Sequence, residues 1–255
     1  IFLDFFMSPD YVVEHGARQV SELYFIRHGQ ANFGQDEYDR LSERGGEQIR
    51  ATARYFLDRS ISFDAIYSGT LARQTASAEI FAAECSARGV ALPARTSVEG
   101  FNEHDSASIV KALLPRMAER DPSISADMAK IFTDNSSFQR VFERTMIAWI
   151  TGVERVDGVE SWAEFRGSVS DSMRFITRAC GRSARIAVFS SGGPIGCAAG
   201  LALDLSDEHT LRLSWQVVNA SVTRFVFSGD RISLSYFNMY AHLESAGGTT
   251  LVTYR

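Results

Sequence analysis

Apolar positions along the chain switch between two periods. The run from Glu22 to Ile26 is short, apolar and ends abruptly at Arg27-His28-Gly29-Gln30, which reads as a buried strand feeding a polar loop. Beyond it, Ser42 with Glu43 and Glu47 precedes an apolar stripe of Ile49, Ala53, Phe56 and Leu57, with Arg50 and Arg54 opposite. That spacing predicts a helix of about 16 residues opened by a serine cap. Phe63 to Tyr67 repeats the strand pattern and stops at Ser68-Gly69, and Leu71, Thr75, Ala78 and Phe81 or Ala82 repeat the helical one. The order so far is strand, helix, strand, helix.

Residues 100–158 lack a clear strand. Helical segments around Ile109–Glu119, Ala126–Phe132 and Phe138–Ile150, broken at Asp121-Pro122 and Asn135-Ser136-Ser137, read as a helical insertion. Its Phe132, Phe138, Phe142 and Met146 read as core rather than as a substrate lid. Alternation then resumes: a helix over Glu160–Cys180, a strand over Arg185–Phe189 ending in Ser190-Ser191-Gly192-Gly193-Pro194, and a small apolar helix over Ile195–Leu203. Ser221–Phe227 and Ile232–Phe237 flank Ser228-Gly229-Asp230 and predict a hairpin. The expectation is a three-layer α/β/α domain over residues 22–255, with a predominantly parallel sheet and one insertion, preceded by an N-terminal extension at 1–21.

A chain of 255 residues with 45% hydrophobic and 22% charged positions is a folded globular class, not a disordered or disulfide-scaffold one. The formal charge of −5 argues against an extended nucleic-acid face but leaves room for a local cationic pocket. Cys85, Cys180 and Cys197 are odd in number and far apart, which points to a reducing compartment, the cytoplasm, and to no structural zinc. The apolar start, Ile1 to Met7, is interrupted by Asp4 and is too short for a membrane span, so neither a membrane nor a secretory address is expected.

Ligands of open α/β sheets bind beyond the carboxyl ends of the strands, and three strands here end in polar signals: Arg27-His28-Gly29, Ser68 leading to Arg73, and Ser190 to Gly193. Arg27 and Arg73 carry forked donors that match phosphate oxygens. Gly192 and Gly193 free the backbone for close approach, and Pro194 suits the first turn of a helix whose N-terminus attracts anions. His28 falls in the middle, where a neutral imidazole nitrogen can attack phosphorus while two arginines neutralise its oxygens.

Arg27-His28-Gly29-Gln30 resembles the signature of the histidine phosphatase, or phosphoglycerate mutase-like, superfamily. The stretch from Tyr67 to Arg73 followed by Ser77-Ala78-Glu79 resembles that family's second motif, and Asn219 to Thr223 resembles the strand after its last phosphate loop. The resemblance covers about residues 22–240. It implies a cofactor-free, metal-independent phosphatase acting on a small-molecule phosphomonoester, with His28 as nucleophile and Arg27, Arg73, Gln30, Asn32, Ser191 and Gly192 binding the phosphoryl group. It also implies a carboxylate proton donor at the start of the insertion: Glu103 matches best, Asp105 is the reserve and Glu99 falls too early.

One departure stands out, because the family's second histidine, directly before Gly-Gly, is Ser191 here. A neutral hydroxyl gives a weaker bond than an imidazolium, a loss of roughly 1–2 kcal/mol in transition-state stabilisation. His104 and His242 are the candidates for supplying the missing cation, each with an ordinary packed or surface role as its alternative; His15 and His209 have no supporting neighbours. Three rival readings remain: a phosphoryl-binding module that has lost turnover, a mutase, and a serine hydrolase built from Ser191, Asp204 and His242. Against the mutase, the loop from Ala31 to Arg40 holds no second basic cluster for a diphosphate. Against the serine hydrolase, Phe189 stands where a nucleophile elbow wants glycine.

Overall fold

The computed structural model describes residues 20–32, 39–131, 133–152 and 156–254. Strands β1 (Ser21–Arg27), β2 (Ala65–Ser68), β3 (Arg95–Ser97), β4 (Arg185–Ser190), β5 (Val222–Ser228) and β6 (Arg231–Met239) form one mixed sheet in the order β3-β2-β4-β1-β5-β6. The first four run parallel, while β5 pairs antiparallel with both β1 and β6. The β5–β6 hairpin and the predominantly parallel sheet are as expected. The three-residue β3 was not, since it is too short to show a period.

Alternation along the central strands sends successive side chains to opposite faces. Leu23 and Phe25 of β1 and Ile186 and Val188 of β4 join a core with α5 (Asn135–Thr151), α6 (Trp162–Ala179) and α7 (Gly192–Leu203). Tyr24, Ile26, Ala187 and Phe189 face the other way, against α1 (Glu43–Leu57), α2 (Ala72–Ala87) and Leu243 of α9 (Ala241–Gly247). These two cores make the three layers. Ser42 caps α1 by accepting from the Gly45 N–H, and Ile49, Ala53 and Phe56 are buried as their spacing predicts.

The insertion consists of α3 (Ser106–Arg120), α4 (Pro122–Met128) and α5. Two of its expected helix breaks are helix starts: Asp121 caps α4 with Pro122 in its first turn, and Asp134 accepts from Ser136 and Ser137 at the head of α5. Met146 is core, Phe138 stacks on Phe142, and Phe132 lies outside the described residues, as do His15 and most of the N-terminal segment. Two short helices, α8 (Asp207–Ser214) and α9, were not anticipated. All three cysteines are free thiols, and among the described residues no helix is long and apolar enough to cross a membrane.

Candidate active site

The carboxyl ends of β1, β2 and β4 converge, and the segment after β3 closes over them. At the end of β1, His28 is 5% exposed, and its Nδ1 lies 2.7 Å from the Gly29 carbonyl. A carbonyl can only accept, so Nδ1 carries the ring proton and Nε2 presents a lone pair. Burial first, and then the charges of Arg27 and Arg73, hold the His28 pKa well below the ordinary imidazole value. The ring is therefore neutral.

The backbone around His28 is tightly held. Ala220 sits in the left-handed region at φ 58°, which aims its N–H at the carbonyls of Arg27 and His28. Asn219 Nδ2 donates to the same His28 carbonyl at 3.2 Å, which explains why an Asn-Ala pair precedes β5. A Cβ on Gly29 would penetrate the Gly45 backbone, and one on Gly45 would penetrate that of Gln30, so the loop and the first turn of α1 pack main chain to main chain.

Arg73, 8% exposed, donates from Nε to His28 Nε2 at 3.2 Å. Its Nη1 lies 2.6 Å from Asp39 Oδ1, while Asp39 Oδ2 accepts the Ala72 N–H at 2.7 Å at the start of α2. Arg27 donates from Nη1 to the Val217 carbonyl and, at 3.0 Å, to that of Tyr254. Its guanidinium passes beside Gly192, whose Cβ would lie 3.9 Å from Arg27 Cζ. Arg73 thus meets Nε2 of His28, and the Arg27 guanidinium lies against the first turn of α7.

Ser191 is fully buried, takes no part in capping α7, and its Oγ accepts from Gln74 Nε2 at 2.9 Å. The same Gln74 nitrogen donates to the Phe101 carbonyl at 2.9 Å, and Ser190 Oγ donates to that carbonyl at 2.8 Å. Phe101, fully buried and edge-on to Phe25 at 5.4 Å, anchors the segment that carries Glu103. Glu103 Oε2 accepts the Gly193 N–H at 3.1 Å, and Oε1 lies 2.9 Å from His104 Nδ1. Desolvation raises the Glu103 pKa, but His104, the Gly193 N–H and Arg73 together outweigh it and bring it down to about 2.

The other expected residues fall elsewhere. Asp105 caps α3 by accepting from Ser108, and Glu99 opens a 3-10 turn over Glu99–Phe101. Gln30 braces α1, its Oε1 accepting from Ser42 at 3.2 Å, and the Asn32 N–H donates to the Arg40 carbonyl. His242 supplies no cation: its Nε2 is 3.1 Å from the Ala220 carbonyl and 3.0 Å from Thr52 Oγ1, and burial pulls its pKa down to about 4. Ser191, Asp204 and His242 form no triad. Ser191 and Asp204 stand at opposite ends of α7, about 18 Å apart at ~1.5 Å per residue, and His242 packs behind Ala220. Asp39, Gln74 and the Val217 and Tyr254 carbonyls escaped the sequence reading. Gln74 alone carried a signal, its place directly after Arg73.

These strand-end motifs belong together in a recognised family. The model of the histidine phosphatase superfamily (branch 1) matches residues 23–129 and 133–239, and the chain belongs to that superfamily. Similar solved structures include a phosphoserine phosphatase mutant from Entamoeba histolytica in complex with phosphoserine, 19% identical, covering 88% of this chain and 99% of that one with a TM-score of 0.60. A phosphoglycerate mutase from Bacillus anthracis is 15% identical over 90% and 97% of the two chains at 0.60, and a mycobacterial glucosyl-3-phosphoglycerate phosphatase 18% over 86% and 98% at 0.56. Identities this low establish the α/β fold alone. No curated protein matches the sequence significantly.

Proposed function

We propose that the protein hydrolyses a small-molecule phosphomonoester through a phosphohistidine on His28. The observation that carries this reading is the buried, neutral His28, whose Nε2 lone pair meets the Arg73 Nε–H at 3.2 Å. On binding, Arg73 transfers that N–H from the ring to a phosphoryl oxygen, with Arg27 and the N-terminus of α7 on the other oxygens. Nε2 then attacks phosphorus, the ester P–O bond breaks, and the leaving oxygen takes a proton from Glu103. A water next attacks the phosphohistidine, its proton passes to the Glu103 carboxylate, and inorganic phosphate departs.

Glu103 is preferred to Asp105 as the donor because it reaches the Gly193 N–H over the pocket, whereas both Asp105 oxygens are engaged by Ser108. Ser191 keeps its own hydroxyl proton for a phosphoryl oxygen while accepting from Gln74, so its place in the pocket suits binding. The test is turnover of a panel of phosphorylated metabolites by the purified protein and its His28→Ala variant. The wild type should release phosphate and, after a quench, retain acid-labile phosphate on the protein. A His28→Ala protein with near-wild-type turnover would overturn the mechanism.

A further inference from the structure

Glu103, the carboxyl group assigned as donor, is the one that holds a proton least well, ionising at about 2 in the free site. At neutral pH it is a carboxylate, and a donor must arrive with a proton. The next residue in the chain answers this. His104 is 9% exposed at its side chain, and its Nδ1 lies 2.9 Å from Glu103 Oε1. Both atoms are buried, and among the described residues neither makes a hydrogen bond elsewhere. The ring stacks on Trp149 of α5, centroids 5.0 Å apart and planes 30° from parallel, and meets Phe165 of α6 edge-on at 5.4 Å. The Gly193 N–H pins Oε2, which leaves Oε1 turned toward the imidazole. A Cβ on Gly193 would lie inside the shell of Glu103 Oε1 and 2.9 Å from His104 Nδ1, so the glycine makes room for the pair.

We propose that Glu103 and His104 work as a single acid whose proton waits on His104 until the leaving group needs it. This rests on the hydrolase reading above and adds a residue to it. As the ester P–O bond breaks, the leaving oxygen takes a proton from Glu103, and the Nδ1 proton of His104 crosses the 2.9 Å contact. The products are a neutral alcohol, a Glu103 carboxylate and a neutral imidazole. When water attacks the phosphohistidine, its proton passes through Glu103 back to Nδ1, and the count closes. The contact is an ion pair and not an aligned hydrogen bond, so each transfer needs a small swing of the carboxylate. The charged groups facing this imidazole are Glu103, Asp105 beside it and Glu160 on the loop before α6, with Arg73 on the far side of Glu103.

His104 touches no reacting atom and is a positioning and proton-storing residue, so its test must separate proton supply from packing. The kcat/KM of the full chain is measured from acid to alkaline pH on an alkyl phosphate, glycerol 3-phosphate, and on p-nitrophenyl phosphate, whose leaving group needs no proton. His104→Gln should slow the alkyl ester by at least about tenfold and the aryl ester by less than about threefold, and should remove the alkaline decline seen with the alkyl ester. Glu103→Gln should show the same dependence on leaving group. His104→Phe, which keeps the stack on Trp149, should melt as a cooperative fold and repeat the His104→Gln pattern. Equal slowing of both esters by His104→Gln with an unchanged pH profile would overturn the proposal. So would a His104→Gln that matches wild type while Glu103→Gln is leaving-group dependent, which would leave the hydrolase reading standing. A wild type inactive on both esters and on the metabolite panel would take down the hydrolase reading and this inference with it.

Discussion

Replacing Ser191 probes a fully buried hydroxyl at the head of α7, where the sequence reading expected a histidine. In Ser191→Ala the Gln74 amide loses a 2.9 Å partner but keeps the Phe101 carbonyl, and α7 loses no cap because Ser191 supplies none. One of the two Gln74 N–H groups is left unpaired in a buried site, so the fold should lose about 1–3 kcal/mol. On the proposed mechanism the hydroxyl also gives up its bond to a phosphoryl oxygen, and that one neutral bond, about 0.5–1.5 kcal/mol, lowers kcat/KM by roughly 2- to 13-fold. Ser191→His is a different perturbation: an imidazole must enter a fully buried site that the Gln74 amide already fills. Overpacking of this kind costs about 1–3 kcal/mol, which at ~2–4 °C per kcal/mol lowers Tm by roughly 2–12 °C. A histidine here is therefore expected to destabilise the protein before it can help catalysis. The assay is kcat/KM on one phosphomonoester together with a thermal melt for both variants. If Ser191→Ala were as inactive as His28→Ala, the serine would be a nucleophile or proton carrier and the reasoning would fail. A Ser191→His protein as stable as wild type would show that the packing argument is wrong.

Arg73→Lys should lower kcat/KM by roughly 10- to 150-fold, since an ammonium cannot serve His28 and Asp39 at once and one charge-assisted bond is worth about 1.5–3 kcal/mol; steady-state kinetics with a melting control checks it, and a threefold effect would count against the fork. Gly193→Ala should remove most activity while the fold survives, because the new methyl displaces Glu103 and not the core; unchanged turnover would contradict the placement of that carboxylate. Stability should also fall in acid because of His242. Its folded pKa of about 4 lies below the unfolded value of ~6.5, so the unfolded chain binds the extra proton between those pH values and up to about 3 kcal/mol is lost as pH drops through the window. Chemical denaturation of wild type and His242→Gln at pH 7 and pH 4 measures this, and an equal acid loss in both would assign it to other groups.

The parallel centre of the fold was legible because β1 and β4 are buried on both faces and end at abrupt polar tripeptides, and α1 was legible from its cap and stripe. That His28, Arg73 and Ser191 gather at the strand ends was legible for the same reason, since a polar strand end interrupts an apolar run. What escaped depends on contacts between distant segments. Asp39 lies in a loop with no local signature and meets Arg73 at a separation of 34 residues. The role of His242 is set by Thr52, 190 positions away, and the aromatic wall around His104 comes from Trp149 on α5 and Phe165 on α6. The starts of α4 and α5 were misplaced because Asp-Pro and Asn-Ser-Ser serve equally as turns and as first helical turns.

The bond from Arg27 to the Tyr254 carbonyl spans 227 positions, and it is joined by Asn219 to Thr253 and by Gln48 Nε2 to the Leu251 carbonyl. On a ribosome Arg27 emerges 227 positions ahead of Tyr254, so a nascent chain can complete most of its layers while Arg27 holds the Val217 carbonyl and still lacks that of Tyr254. The candidate site is therefore fully braced only after residues 251–254 have been made, and a chain interrupted before residue 251 would be folded in part yet without these three bonds.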